Sequence, residues 1–262
     1  MNKKIWGIAG PAAMAMGLAL SACGGGNADR LDVCYEEYDY LSVACKTEGD
    51  SLAADSALMT WRCEAEGVLP LKIGKLDIKQ LRDTLMALGA VDLDGSKAVA
   101  KLPAGYKAAP DTHPDSVESV VANNLSVVLV NPRVMVWRCY HYAYPAGAAH
   151  GTYSDTYINY STEGDGKVLS LADIFRKGAE SQLLEMVRAQ LAERDDLLVE
   201  LSEVKLPANF RVTDEGVDFI FGLYEVAPYS SGEIEVELNA YALAHLLTDW
   251  AKTSLFQLSG RS

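Results

Sequence analysis

The residues best equipped for chemistry gather in the second half of the chain. His141 and His150 stand nine positions apart with Asp155 close behind, and two imidazoles with a carboxylate suit acid–base work or a metal ion. His150 sits within Ala149-His150-Gly151, where the more economical reading is a ring that satisfies backbone groups of a turn. His113 and His245 have no evident companions. A chain with 36 Asp and Glu offers many carboxylates for glycoside hydrolysis, yet no spacing singles out two. There is no G-x-S-x-G elbow, no H-E-x-x-H and no phosphate-cradling glycine loop. The expectation is a protein that is not an enzyme, with no catalytic residues, no metal and no cofactor.

A second group of residues suits binding. Tyr224, Glu225, Pro228 and Tyr229 fall between two strand-like segments, and tyrosines in such a loop supply large, rigid contact area. The same residues also read as a strand end at Tyr224-Glu225 and a turn at Pro228-Tyr229 packed on the core. Glu233, Glu235 and Glu237 alternate with Ile234, Val236 and Leu238. That stripe either faces a partner or is the solvated side of a half-buried strand.

Elements must hold these groups in place, and the apolar pattern supplies them. Residues 57–63 read as a strand and 77–88 as a helix, with Ile78, Leu81, Leu85 and Leu88 on one stripe, Asp77 as its cap and Gly89 as its end. Prolines at 103, 110 and 114 mark 101–115 as a connector. Three hairpins follow: 125–130 with 134–142 around Asn131-Pro132-Arg133, 153–160 with 167–169, and 210–213 with 217–221 around Asp214-Glu215-Gly216. Helices are expected at 181–194, with Leu183, Leu184, Val187 and Leu191 inward, and at 240–248. Strands joined by hairpins, with helices interspersed, predict an α+β fold whose sheet is mainly antiparallel. The expected organisation is an N-terminal strand–helix subdomain at 34–115 and a C-terminal domain at 116–262.

Charge and compartment narrow the partners. Among 262 residues, 23 Lys and Arg face 36 Asp and Glu, a formal charge of −13. Such a balance argues against nucleic acid, whose phosphates need a basic footprint. Lys3 and Lys4 precede an apolar run, interrupted by Pro11 and glycines, that ends in Leu20-Ser21-Ala22-Cys23. The run is too short and broken for a comfortable membrane span. Its end resembles the lipobox of bacterial lipoproteins, which implies a signal peptide at 1–22, a lipid on Cys23 and a flexible tether at 23–33. Removing residues 1–22, which carry two lysines and no acid, takes −13 to −15. The expected location is the cell envelope, and the absence of Asp just after Cys23 favours the outer membrane.

Four cysteines remain, Cys34, Cys45, Cys63 and Cys139, and their spacing fits no zinc or thioredoxin-like motif. An oxidising compartment predicts disulfides, and four cysteines allow three pairings. Leu58-Met59-Thr60-Trp61-Arg62-Cys63 echoes Val134-Met135-Val136-Trp137-Arg138-Cys139. If the two segments are neighbouring strands, Cys63 meets Cys139 and Cys34 closes a loop with Cys45.

Three stretches carry a family resemblance: Tyr142-Ala143-Tyr144-Pro145-Ala146-Gly147-Ala148-Ala149-His150-Gly151; Tyr157-Ile158-Asn159-Tyr160 with Gly166-Lys167 and Leu171-Ala172-Asp173-Ile174-Phe175; and Asn209-Phe210 with Tyr224-Glu225-Val226-Ala227-Pro228-Tyr229-Ser230-Ser231-Gly232. Their order and spacing resemble the extracellular domain of RsiV-type anti-sigma factors over about 118–248. A looser likeness at 57–100 is to the domain found beside it, which also occurs in some peptidoglycan deacetylases. The resemblance implies an RsiV-like fold and capture of lysozyme, with Tyr144, His150, Tyr224, Glu225, Pro228 and Tyr229 as the contact residues. The sequence departs from the family at Pro145-Ala146, where glycine is usual, and at Ser161, where Asp is frequent. A −15 surface suits a cationic partner of that class. The alternative expectation is a module that binds or modifies cell-wall glycan.

Overall fold

The computed structural model describes residues 31–47, 60–94, 97–101, 106–108 and 119–258. The expected signal peptide, Cys23 and most of the tether lie outside the described residues. The fold is mixed α+β, mostly sheet with few helices. Its main layer is a seven-stranded sheet in the order β5-β1-β2-β6-β7-β8-β9. The strands are β1 (Val33–Thr47), β2 (Thr60–Ile73), β5 (Tyr106–Ala108), β6 (Ser119–Val130), β7 (Val134–Tyr144), β8 (Thr152–Ser161) and β9 (Lys167–Val168). All neighbours are antiparallel except β2 and β6. That parallel pair needs a crossover, which runs through α1 (Lys79–Leu88) and the small hairpin β3 (Val91–Asp94) with β4 (Lys97–Ala100). The expected division at 115/116 therefore runs between strands of one continuous sheet.

A second sheet, β10 (Phe210–Val212), β11 (Gly216–Phe221) and β12 (Ile234–Asn239), lies with α2 (Leu171–Ile174), α3 (Glu180–Leu191) and α4 (Ala240–Leu243). All three expected hairpins form, and the alternation of β12 places Ile234, Val236 and Leu238 inside. Two cores result, one on each side of the large sheet. Leu81 and Leu85 of α1 pack with Met135, Trp137 and Cys139 on one side. Val134 and Val136 pack on the other side with Leu183, Val187 and Leu191 of α3 and Phe219 and Phe221 of β11. Successive β7 residues thus feed opposite cores, as the pleat requires. The α1 start is shifted from the expected one, with Ile78 at the cap position, but Asp77 still accepts from Lys79 N at 3.0 Å and so satisfies an end N–H.

The expected disulfide pairings do not form. Strand β6 lies between β2 and β7, pairing Cys63 with Val121 and Cys139 with Leu125. Two strand spacings put β2 and β7 roughly 10 Å apart, beyond the Cα separation of ~7 Å that a disulfide tolerates. Cys139 keeps a free, buried thiol that donates to Leu88 O at 3.1 Å, and burial pushes it up to about 11. Cys34 and Cys45 both belong to β1, and eleven extended residues separate their ends by about 35 Å. Cys63 is itself disulfide-bonded.

Candidate functional site

The two faces of β7 and β8 differ in what covers them. On the side of the second core, paired positions run Val134–Ser161, Val136–Asn159, Arg138–Tyr157, Tyr140–Asp155 and Tyr142–Tyr153. The small sheet covers the first two pairs, and beyond them the side chains become half-exposed. The face that emerges carries Arg138, Tyr140, Tyr142 and Tyr144 from β7 with Tyr153, Asp155 and Tyr157 from β8. None of these seven is fully buried.

An arm between β11 and β12 closes one side of this face. Its middle, Val226 and Ala227, is buried in the second core, and Leu198 N donates to Val226 O at 2.9 Å. Before that anchor, Glu225 N donates to Gly222 O at 3.1 Å while Gly222 N donates to Glu225 Oε2 at 2.8 Å. The tight turn holds Tyr224 at φ 64°, a left-handed conformation uncommon for a tyrosine, and leaves the residue 54% exposed. After the anchor, Pro228 opens a 3-10 turn at Tyr229–Ser231, which Gly232 ends at φ 73°.

Tyr229 is the hub. Its ring stacks on His150 at 4.1 Å between centroids, meets Tyr153 edge-on at 6.2 Å and lies 5.9 Å from Tyr224. Its hydroxyl donates to Gly151 O at 2.9 Å. Gly151 is required where it stands: a Cβ there would lie 2.5 Å from the Tyr142 ring. His150 Nδ1 lies 2.9 Å from Gly151 O, so the imidazole serves the turn and a ring stack together. Tyr144 donates to Ala148 O at 3.1 Å and stiffens the β7–β8 turn. Of the expected contact residues, His150, Tyr224 and Tyr229 form one aromatic cluster. Pro228 and Glu225 shape the arm that delivers it, and Tyr144 stands further out on the same sheet face.

Beside the cluster lies a charged strip. Arg138 Nε donates to Asp155 Oδ1 at 2.6 Å, and its guanidinium stands over the Tyr140 ring at 5.4 Å. Glu233 accepts from Asp155 N through both oxygens, at 3.0 and 3.2 Å. Arg211 repeats the motif, bonded to buried Asp218 and to Glu235 and lying 5.3 Å over the Tyr157 ring. Burial pushes Glu233 up to about 7, against the hydrogen bond from Asp155 N, which favours the ionised carboxylate. The three glutamates of the stripe therefore differ: Glu235 and Glu237 are exposed, and Glu233 is half-buried against β8.

Two asparagines stitch the small sheet to the large one. Asn159 donates to Phe210 O at 2.9 Å and accepts from Val212 N at 2.7 Å, wholly buried. Asn209 accepts from Tyr157 N at 3.1 Å and donates to Asp155 O at 2.6 Å. Each amide mimics a peptide group and so continues the ladder where no strand reaches.

The histidine–carboxylate grouping does not assemble. His141 pairs with Ser154 and points to the opposite face from Asp155, where its Nδ1 lies 2.9 Å from Asn123 Oδ1 and burial lowers its pKa. Among the described residues no three His, Cys, Asp or Glu are placed to hold a metal ion. No described helix is long and apolar enough to cross a membrane.

The arm and β12 coincide with a recognised sequence region. Residues 172–240 match DUF3298. That family is described as a protein of unknown function, and the match takes in Tyr224, Glu225, Pro228, Tyr229 and Glu233. Two solved structures extend the likeness in fold to most of the chain. A DUF3298 family member from Bacteroides fragilis superposes with a TM-score of 0.57 at 15% identity, over 84% of this chain and 96% of that one. A DUF3298 family protein from Pseudomonas aeruginosa PAO1 gives 0.51 at 18% identity, over 83% and 95%. No curated protein matches the chain. The DUF3298 region supplies the arm, whereas Tyr144, His150, Tyr153 and Asp155 come from the hairpin before it.

Sequence reasoning missed Tyr140, Tyr142, Tyr153, Arg138 and Asp155 as members of this surface. The signal was present: Tyr140, Tyr142 and Tyr144 recur with period two behind Arg138, which places all four on one face of any strand.

Proposed function

We propose that the Tyr229 surface is a protein-capture site, and that the chain is a binding module of the cell envelope rather than an enzyme. The observation that carries this reading is the convergence of Tyr224, Tyr229, His150 and Tyr153 beside the Asp155–Glu233 strip. Half-exposed and exposed tyrosines clustered on a stiff frame are what a contact centre needs. A left-handed, exposed Tyr224 is strain kept at a position that packing does not require. The partner class follows from charge and from the RsiV resemblance: a cationic wall-degrading enzyme such as lysozyme, steered in by the acidic chain. In this reading the lipid on Cys23 holds the module at the membrane, with outer-membrane sorting.

The test is titration of purified mature protein with lysozyme at two ionic strengths. Binding at low salt that weakens about tenfold at high salt supports the reading; absence of binding at low salt ends the lysozyme version. Retention on isolated peptidoglycan with no affinity for lysozyme would instead select the glycan alternative. Trp137 is core, Trp61 lies on the α1 side of its strand, and Trp250 lines a separate cavity with Glu163, Asp165 and Lys167, away from the tyrosine face.

A further inference from the structure

A second concavity lies at the far end of β8 from the tyrosines. Ser161, which closes the strand, is separated from Tyr153 by roughly 27 Å of extended chain. There the turn from β8 to β9 and Trp250 border an open cavity of about 480 Å³, within the range of about 300–1,000 Å³ that small-molecule sites occupy. The turn is shaped by Gly164 at φ 60° and Gly166 at φ 73°. A Cβ on Gly166 would lie 2.2 Å from the Tyr160 hydroxyl, which reaches the underside of the turn buried and without a partner. Trp250 packs partly on the second core. Its Nε1 donates to Glu163 Oε2 at 2.8 Å, which fixes ring and carboxylate together. Lys167 is held by Asp173, itself fixed by Ser170 N and Oγ. Asp165 is exposed and has no partner among the described residues.

We propose that this cavity binds a neutral sugar ring, with Trp250 as the platform for its apolar face and Glu163, Asp165 and Lys167 as partners of its hydroxyls. The lining decides the class. An anion meets two carboxylates there, and a cation must sit beside the Lys167 ammonium and compete with it. A hydroxyl is donor and acceptor at once, so a polyol uses both kinds of group. It donates to Glu163 Oε1 and to Asp165, and it accepts from the N–H groups that Lys167 keeps after its bond to Asp173. Bonds to such ionised partners are stronger than neutral ones. With Nε1 spent on Glu163, the indole offers the cavity only its apolar surface. The unpartnered Tyr160 hydroxyl adds unused hydrogen-bonding capacity beneath the same turn. The site stands apart from the Tyr229 surface, so both can be filled on one molecule.

Titration of isotope-labelled mature protein with maltotriose and, separately, with chitotriose tests the site. The readout is the indole N–H resonance of Trp250 and the amides of Gly164 and Gly166. A saturable shift with either sugar is expected, with a dissociation constant on the order of 1 mM for so open a cavity. Chitotriose alone assigns the site to N-acetylated wall glycan, and maltotriose alone to free glucans; both uphold the proposal. No saturable shift with either sugar overturns it. Saturation by arginine and by neither sugar also overturns it, because the cavity is then a cation site. Trp250→Ala should weaken binding about tenfold or more. Trp250 also packs on the core, so Asp165→Ala, at an exposed residue with no described partner, keeps the test independent of folding. It should weaken binding about fivefold. Full affinity in Asp165→Ala places the sugar elsewhere and overturns the proposal.

Discussion

The two halves of β7 belong to one strand and one ladder, yet they live in different surroundings. Val134, Met135, Val136 and Trp137 are at most 1% exposed, covered by α1 on one side and the small sheet on the other. From Arg138 onward the cover thins to Arg211 over the Tyr157 ring and Glu233 against Asp155, and Arg138, Tyr140, Tyr142 and Tyr144 stand half-exposed. The composition changes at the same point, from apolar on both faces to tyrosine on the uncovered one. A tyrosine tolerates such a border because its ring packs while its hydroxyl meets water or a carbonyl. The lesson is that the tyrosines begin where the cover thins. Trp137→Ala, which empties the largest side chain of the covered half, is expected to cost about 3–5 kcal/mol in urea unfolding, and Tyr140→Ala less than about 1 kcal/mol. Equal losses would erase the distinction between the halves.

Asn159 marks the border itself. Asn159→Ala strands Phe210 O and Val212 N in a dry interior, with an expected loss of about 2–3 kcal/mol. A loss below about 0.5 kcal/mol would mean that the two sheets are not held by this amide. Past the border, the expected consequence moves from stability to binding. Tyr229→Ala should weaken lysozyme binding about 30-fold, as a central aromatic contact does, while changing stability by no more than about 1 kcal/mol. Unchanged affinity with intact folding would remove Tyr229 from the contact surface.

Much of this was readable from residue patterns, and the failures share a cause. The α1 and α3 stripes, the β12 alternation and the three hairpin turns are local signals, each contained within about ten residues, and the structure follows them. Pairing of β2 with β6 is not local. The two Trp-Arg-Cys segments looked like neighbours, and nothing in either records that β6 is inserted between them. Asn159 and Asn209 are likewise silent in sequence, because their backbone partners lie 51 to 54 positions away. The arm residues proposed for contact were legible through a family pattern, whereas the hairpin side of the surface needed the register that sets Tyr140 opposite Asp155.

Glu233 gives the comparison its smallest and sharpest form. Covered β7 buries apolar groups, whose contribution is indifferent to pH, whereas the tyrosine-bearing half carries a carboxylate that burial makes reluctant to ionise. The ordinary value is 4.5 and the folded one about 7. The folded protein therefore binds the proton more tightly than the unfolded chain, and this contribution is fully present below about pH 4.5 and lost as pH rises through 7. Glu233→Gln has no such loss. It should be more stable than wild type by about 1 kcal/mol at pH 8, a figure reduced for the group's partial exposure, and the gap should shrink to a few tenths near pH 5. Urea titrations at the two pH values measure it directly. A gap of equal size at both would show that Glu233 contributes packing alone, and that the uncovered half is no more dependent on charge than the covered one.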